Sequence, residues 1–167
     1  MDFKKYYERA VAYLTIRPRS EFELKNYLIL KSKKLHIDMD EAMPFIDTVI
    51  DALKEQKYLD DEKFIIWYKD QRDRIRSRSD MLIKYELIKR GVDKNLIDDV
   101  FEKLDEKVTD DEKAALSAQK YYKKLSSYPK EEQVNKLLGY LGRRGFNYTV
   151  SRRAIDDIYS KSYNRDR

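Results

Sequence analysis

An all-α fold is predicted, built as three tandem three-helix repeats in an elongated array, curved in a right- or left-handed sense. Two observations predict it. Only four glycines (Gly91, Gly139, Gly142, Gly145) and three prolines (Pro18, Pro44, Pro129) interrupt 167 residues, and the remainder is rich in Leu, Ile, Lys, Glu and Arg with few alternating β-branched runs. In addition, the stretch "IKYELIKRGVDKNLIDDV" at 83–100 returns in pattern as "LLGYLGRRGFNYTVSRRA" at 137–154. Both carry apolar residues at spacings of three and four, the inward stripe of a helix.

The elements follow in order. Residues 3–15 form an aromatic-rich helical stretch. The next helix opens at Ser20, which with Glu23 makes an S-x-x-E capping box, and "SEFELKNYLILK" at 20–31 turns Leu24 and Leu28 inward. A polar insertion around "KKLHIDMDEA", without glycine, leads to "FIDTVIDAL" at 45–53, where Phe45, Val49, Ile50 and Leu53 make the inward stripe. The second repeat begins with a helix over 61–75, for which Asp60 and Asp61 supply the N-cap and a first-turn carboxylate. Overlaying 79–104 on 133–158 pairs Ile83 with Leu137, Leu87 with Leu141 and Gly91 with Gly145. Further along it pairs Asp93 with Asn147, Leu96 with Val150, Val100 with Ala154, Phe101 with Ile155 and Leu104 with Ile158. Gly91 and Gly145 follow dibasic helix ends, where a glycine takes the left-handed conformation that other residues resist by roughly 1–2 kcal/mol. Asp93 and Asn147 then cap the following helices.

A last aromatic-rich helical stretch at 112–126 opens the third repeat. The repeats therefore run over residues 1–57, 58–107 and 108–167. Segments this short stabilise one another by packing. Leu28, Leu53, Leu87, Leu104, Leu141 and Ile158 are expected to be buried, and Gly139 and Gly142 are assigned to helix packing.

The functional reading starts from charge. Lysine and arginine total 36 against 31 acids, a net charge of +5, which favours an acidic partner such as nucleic acid. There is no cysteine, so thiolate and disulfide chemistry are excluded. The one histidine, His36, makes no zinc site and is read as a solvated loop residue. No phosphate-cradling glycine motif is present: "GYLGRRG" at 139–145 lies within and at the end of a helix, not after a strand. No catalytic residue, metal or cofactor is assigned, and an enzyme is not expected. No apolar run reaches membrane-spanning length, and the start has no secretory h-region, so a cytoplasmic monomer without membrane contact is expected. About two-thirds of the 14 tyrosines are assigned to core or inter-repeat packing.

Two basic clusters are the candidate contact residues. One is the arginine run Arg72, Arg74, Arg76 and Arg78, continued by Lys84, Lys89 and Arg90. The other is Arg143, Arg144, Arg152 and Arg153. Both suit phosphates or carboxylates on a partner, although a solvated face with i,i+4 pairs accounts equally well for the first.

"RPRSEFEL" (17–24), "YLDDEKF" (58–64), "IKYELIKRGVD" (83–93) and "LGRRGFNYTVSRRAI" (141–155) together resemble the RecX family of recombination regulators, in the family's order and over nearly the whole chain. Lys57 stands where that family commonly has glycine before "YLDD", and the first repeat lacks a glycine stop. The resemblance implies a helical-repeat protein that lies along the groove of the RecA recombinase filament and modulates it, usually by inhibition, with no catalytic residues of its own. It leaves direct contact with single- or double-stranded DNA open. Two other readings remain: a nucleic-acid-binding protein using the second and third helices of each repeat as a helix-turn-helix, and a helical scaffold for another partner.

Overall fold

The computed structural model describes residues 2–75, 77–104 and 108–163, apart from the side chains of Ile75 and of 161–163. Among the described residues there are nine helices and no strand. They are α1 (Phe3–Ile16), α2 (Glu21–Lys34), α3 (Met39–Glu55), α4 (Asp61–Ile75), α5 (Asp80–Lys89), α6 (Lys94–Lys103), α7 (Asp110–Tyr122), α8 (Lys130–Gly142) and α9 (Tyr148–Tyr163). Three successive helix triplets make the three repeats.

The helices gather into two compact units, each centred on a junction between repeats. The first comprises the chain up to Tyr68 together with Glu86–Lys103, and the second comprises Lys69–Tyr85 together with the chain from Leu104 onward. Helices α4 and α5 of the middle repeat therefore each give one half to either unit. Tyr6, Leu24, Leu28, Ile46, Val49 and Leu53 lead the core of the first unit. Ala118, Leu137, Leu141, Phe146 and Ile155 lead that of the second.

Each repeat joins its first two helices at the same place. Tyr13 on α1 stacks on Tyr27 of α2, centroids 3.9 Å apart. On α4, Tyr68 donates a 2.9 Å hydrogen bond to Glu86 of α5. Tyr121 of α7 stacks on Tyr140 of α8 at 4.1 Å. Stacked or hydroxyl-anchored tyrosine packs its ring while keeping its polar end satisfied. Tyr58, Tyr85, Tyr128 and Tyr148 are exposed instead.

The helix stops show why one repeat lacks glycine. Gly91 (φ +75°) and Gly145 (φ +85°) occupy the left-handed position after α5 and α8. There Val92 and Phe146 donate back to Leu87 and Leu141 while the glycines donate to Ile88 and Gly142. This paired bonding satisfies two otherwise orphaned carbonyls. His36 (φ +55°) makes the same stop for α2, with His36 donating to Lys33 and Ile37 to Ser32. Lys57 (φ +59°) makes it for α3, with Lys57 donating to Lys54 and Tyr58 to Leu53. The supposed polar insertion is thus mostly helix: α2 has 14 residues against 10 in α5, and α3 has 17 against 10 in α6. His36 is exposed, as expected, but its structural part is that of the missing glycine. Replacing His36 with glycine should raise the stability of the chain by about 1 kcal/mol by removing the left-handed strain; a thermal melt measures it, and a lowered midpoint would refute the assignment.

Several positions depart from expectation. Phe45 is 39% exposed and Leu96 is half-buried, while their neighbours Ile46 and Ile97 are buried. Val49, Ile50, Leu53, Val100 and Phe101 are buried where the overlay placed them; only the first position of each stripe moves one residue on, because the neighbouring helices, and not the spacing, choose which edge of an apolar face is covered. Leu104 and Ile158 are likewise only half-buried, whereas Leu28, Leu53, Leu87 and Leu141 are fully buried. Leu104 follows the end of α6, and Ile158 packs at the edge of the second core without being enclosed by it. Gly139 and Gly142 are exposed, and a Cβ at Gly142 would meet nothing within 4 Å, so tight helix packing does not explain them.

Candidate functional site

In the second unit the two arginine clusters, some seventy residues apart in the chain, meet. Ser79, the residue before α5, donates its N–H to the carbonyl of Arg144 (2.9 Å) and its hydroxyl to the carbonyl of Gly145 (2.7 Å). Arg144 reciprocates by donating to the carbonyl of Ser77 (3.2 Å), and its guanidinium lies 4.3 Å from the Tyr140 ring centre. The α8–α9 turn is therefore bonded directly to the α4–α5 loop, and Arg78 and Arg144 flank one seam. Arg143 beside them is exposed and has no ion-pair partner among the described residues. Arg76 lies outside the described residues.

Three other candidate arginines of that unit are paired within it. Arg74 pairs with Asp70 at 2.7 Å, Arg152 with Asp156 at 3.3 Å and Arg153 with Asp111 at 2.8 Å. Such exposed pairs contribute little to stability and exchange readily for a partner's anions. Arg72, Arg78 and Lys84 are half-buried and engaged within the chain.

Lys89 and Arg90 belong to the first unit. Lys89 is exposed, while Arg90 is held by Glu23 at 2.6 Å and lies over the Tyr68 ring at 4.8 Å. Arg17 grips the same carboxylate at 2.9 Å. Burial opposes the charged form of Glu23, but the Arg17 hydrogen bond and charge, the Ser20 amide and Arg90 outweigh it and hold the carboxyl below its usual range. Arg90 thus closes the junction on its own unit, whereas Arg143 faces solvent.

The two units repeat one junction. The Ser20 hydroxyl donates to the carbonyl of Arg90 at 2.7 Å, as that of Ser79 does to Gly145. The first amide of α2, on Glu21, donates to Asp61 at 2.8 Å, and the first amide of α5, on Asp80, donates to Asp110 at 3.2 Å. In each case a carboxylate opening one repeat covers an orphan N–H of the repeat before it. Burial pushes both carboxyls up from their ordinary range, against the pull of the amides they accept from. Beneath the second junction lies Lys113, its side chain 5% exposed, which bonds Asp80 at 2.8 Å and stands 3.4 Å from Asp73, with Lys69 bridging the same two acids.

Sequence reasoning gave Asp61 a role in its own helix only and overlooked Asp110, Ser79 and Lys113. A signal existed: "DDEK" occurs at both 60–63 and 110–113. The register hides it, since α4 is capped by Asp60 and α7 by Thr109, one residue out of step. Among the described residues no group of His, Cys, Asp and Glu is arranged to hold a metal, and no helix is long and apolar enough to cross a membrane.

Residues 109–155 match the family model described as RecX, third three-helix domain. The chain is 30% identical over 149 residues to the regulatory protein RecX of Streptococcus mutans, covering 89% of this chain and 54% of that protein. It is 28% identical over 159 residues to the regulatory protein RecX of Bacillus pumilus, covering 93% of this chain and 56% of that one. The chain thus spans about half the length of the curated relatives it matches. The crystal structure of RecX from Lactobacillus salivarius superposes with a TM-score of 0.71 at 24% identity, covering 93% of this chain and 96% of that one, which shows a shared fold. With the triplet repeat and its glycine stops, these matches agree on one assignment: the chain belongs to the RecX family.

Proposed function

We propose that the chain binds the RecA recombinase filament along its groove and slows its ATP turnover and strand exchange by occupation, without chemistry of its own. The partner comes from the family resemblance, and the relatives named regulatory protein RecX support a regulatory role. The observation that carries a contact surface is the bonding of the Arg143–Arg144 turn to the 77–79 loop, which draws together cations from two repeats. Residues 1–57, 58–107 and 108–167 would then act as successive contact modules, since a filament presents one subunit surface at intervals and many modest contacts add through effective concentration.

The test is RecA ATPase on single-stranded DNA, with co-sedimentation of the filament. Wild type should slow turnover, and rising salt should weaken binding, because exposed charges are screened over roughly 8–10 Å near physiological ionic strength. Reversing Arg143, Arg144, Arg152 and Arg153 to glutamate should weaken filament binding while helicity is kept. Arg143→Glu alone should weaken it with the least disturbance, as that side chain has no internal partner among the described residues. Strong binding to DNA with no effect on RecA filaments would replace this reading with direct nucleic-acid binding.

A further inference from the structure

The first unit carries a basic cleft that none of the nominated arginines lines. It has a volume of about 380 Å³ and lies between the end of α1 with the following loop and the α3–α4 turn. That size is within the range of pockets that take small ligands. Arg17, Arg19, Lys57 and Lys63 line it, with Asp60 the one carboxylate among them. Two of these charges are internally answered: Arg17 by Glu23 at 2.9 Å and Lys63 by Asp60 at 3.6 Å. The other two are not. Lys57 has no ion-pair or hydrogen-bonding side-chain partner among the described residues. Arg19 rests on the Tyr13 ring at 4.0 Å, and its buried Nε finds no hydrogen-bond partner.

Lys57 is also in the wrong conformation for a lysine. Its φ of +59° belongs to glycine, and strain of this kind persists where the surroundings or a task hold it. The strained turn sets Tyr58, 68% exposed, on the same cleft, which Ile16, 75% exposed, also lines. An unpaired cation, a ring-backed guanidinium and a bare tyrosine face are the parts of a site for single-stranded nucleic acid, where phosphates meet cations and bases stack on rings. A carboxylate-bearing peptide would satisfy Lys57 and Arg19 but bring no flat partner for Tyr58.

We infer that this cleft binds a nucleotide of single-stranded nucleic acid, phosphate toward Lys57 and Arg19 and base on Tyr58. The site stands apart from the proposed filament contact, and its test contains no RecA, so either proposal can fail without the other. The full chain is titrated against a fluorescein-labelled oligothymidylate of about 16 nucleotides, followed by anisotropy at several salt concentrations. Wild type should bind. Lys57→Gly should weaken binding and reduce the slope of log affinity against log salt by about 0.7, one phosphate contact on a single strand, while its melting midpoint stays level or rises as the strain is relieved. Tyr58→Ala should weaken binding about fivefold or more, the loss of one stacked base, with the slope unchanged. No binding by wild type, or wild-type binding by both folded variants, would overturn the inference. So would displacement of the probe by polyglutamate as readily as by unlabelled oligothymidylate, which would mark the cleft as a site for acidic peptide.

Discussion

Replacing Gly91 with valine is expected to destabilise the chain by about 3 kcal/mol, read as a shifted denaturation midpoint with an unchanged slope. Two effects combine. The backbone there has φ +75°, which costs a residue bearing a Cβ roughly 1–2 kcal/mol. A Cβ would also fall on the ring carbons of Phe22, and overpacking of this kind costs about 1–3 kcal/mol. The double variant with Phe22→Ala should recover the packing part and leave the backbone part, separating the two. At Gly145 the corresponding Cβ would meet Ser79 Oγ and Leu82, so the same substitution there should disturb the arginine seam as well. A loss at Gly91 of only about 1–2 kcal/mol, the backbone part alone, would mean that Phe22 moves aside freely and that the first junction is soft.

Lys113→Ala should cost about 3 kcal/mol, because it removes the buried cation of a half-buried ion cluster and leaves its acids with less compensation. Asp80 would lose its 2.8 Å partner and Asp73 a neighbour at 3.4 Å, while Lys69 still stands beside both. Lys113→Met keeps the aliphatic volume and should cost less when Asp80→Asn is added, since the acid is then no longer orphaned. A near-zero effect of Lys113→Ala in a urea titration would show that Lys69 and water answer both acids. Since the cluster sits beside the first turn of α5, partial loss of stability should be accompanied by faster hydrogen exchange at the amides of 80–83.

How far these features were legible in the sequence differs from residue to residue. The all-helical fold, the triplet repeat, the capping box at Ser20 and the stops at Gly91 and Gly145 follow from local chemistry: hydrophobic spacing, a side chain within reach of its own helix end, and the freedom of a residue without Cβ. Each is decided within a few residues, so the chain by itself determined them. The stops at His36 and Lys57 were not legible, because a histidine or lysine in the left-handed region is held there by the helix around it and leaves no residue signature. The burial of Ile46 in place of Phe45 at the start of the α3 stripe, and the exposure of Gly142, were set by which neighbouring helix covers which edge.

The same division applies to the basic residues. Composition and clustering nominated eleven of them, but a cation's reach depends on what it already touches. Arg90, Arg152 and Arg153 are paired within the chain, Arg143 has no ion-pair partner among the described residues, and Arg144 is locked to the loop that carries Arg78. Ion pairs and junction hydrogen bonds join residues dozens of positions apart, and their strength depends on burial that no local pattern records. The chain's own order of residues determined that it is a helical repeat with a basic surface. Only the tertiary structure decided which charges remain open to a partner, because that depends on the acids the fold brings within 4 Å of them.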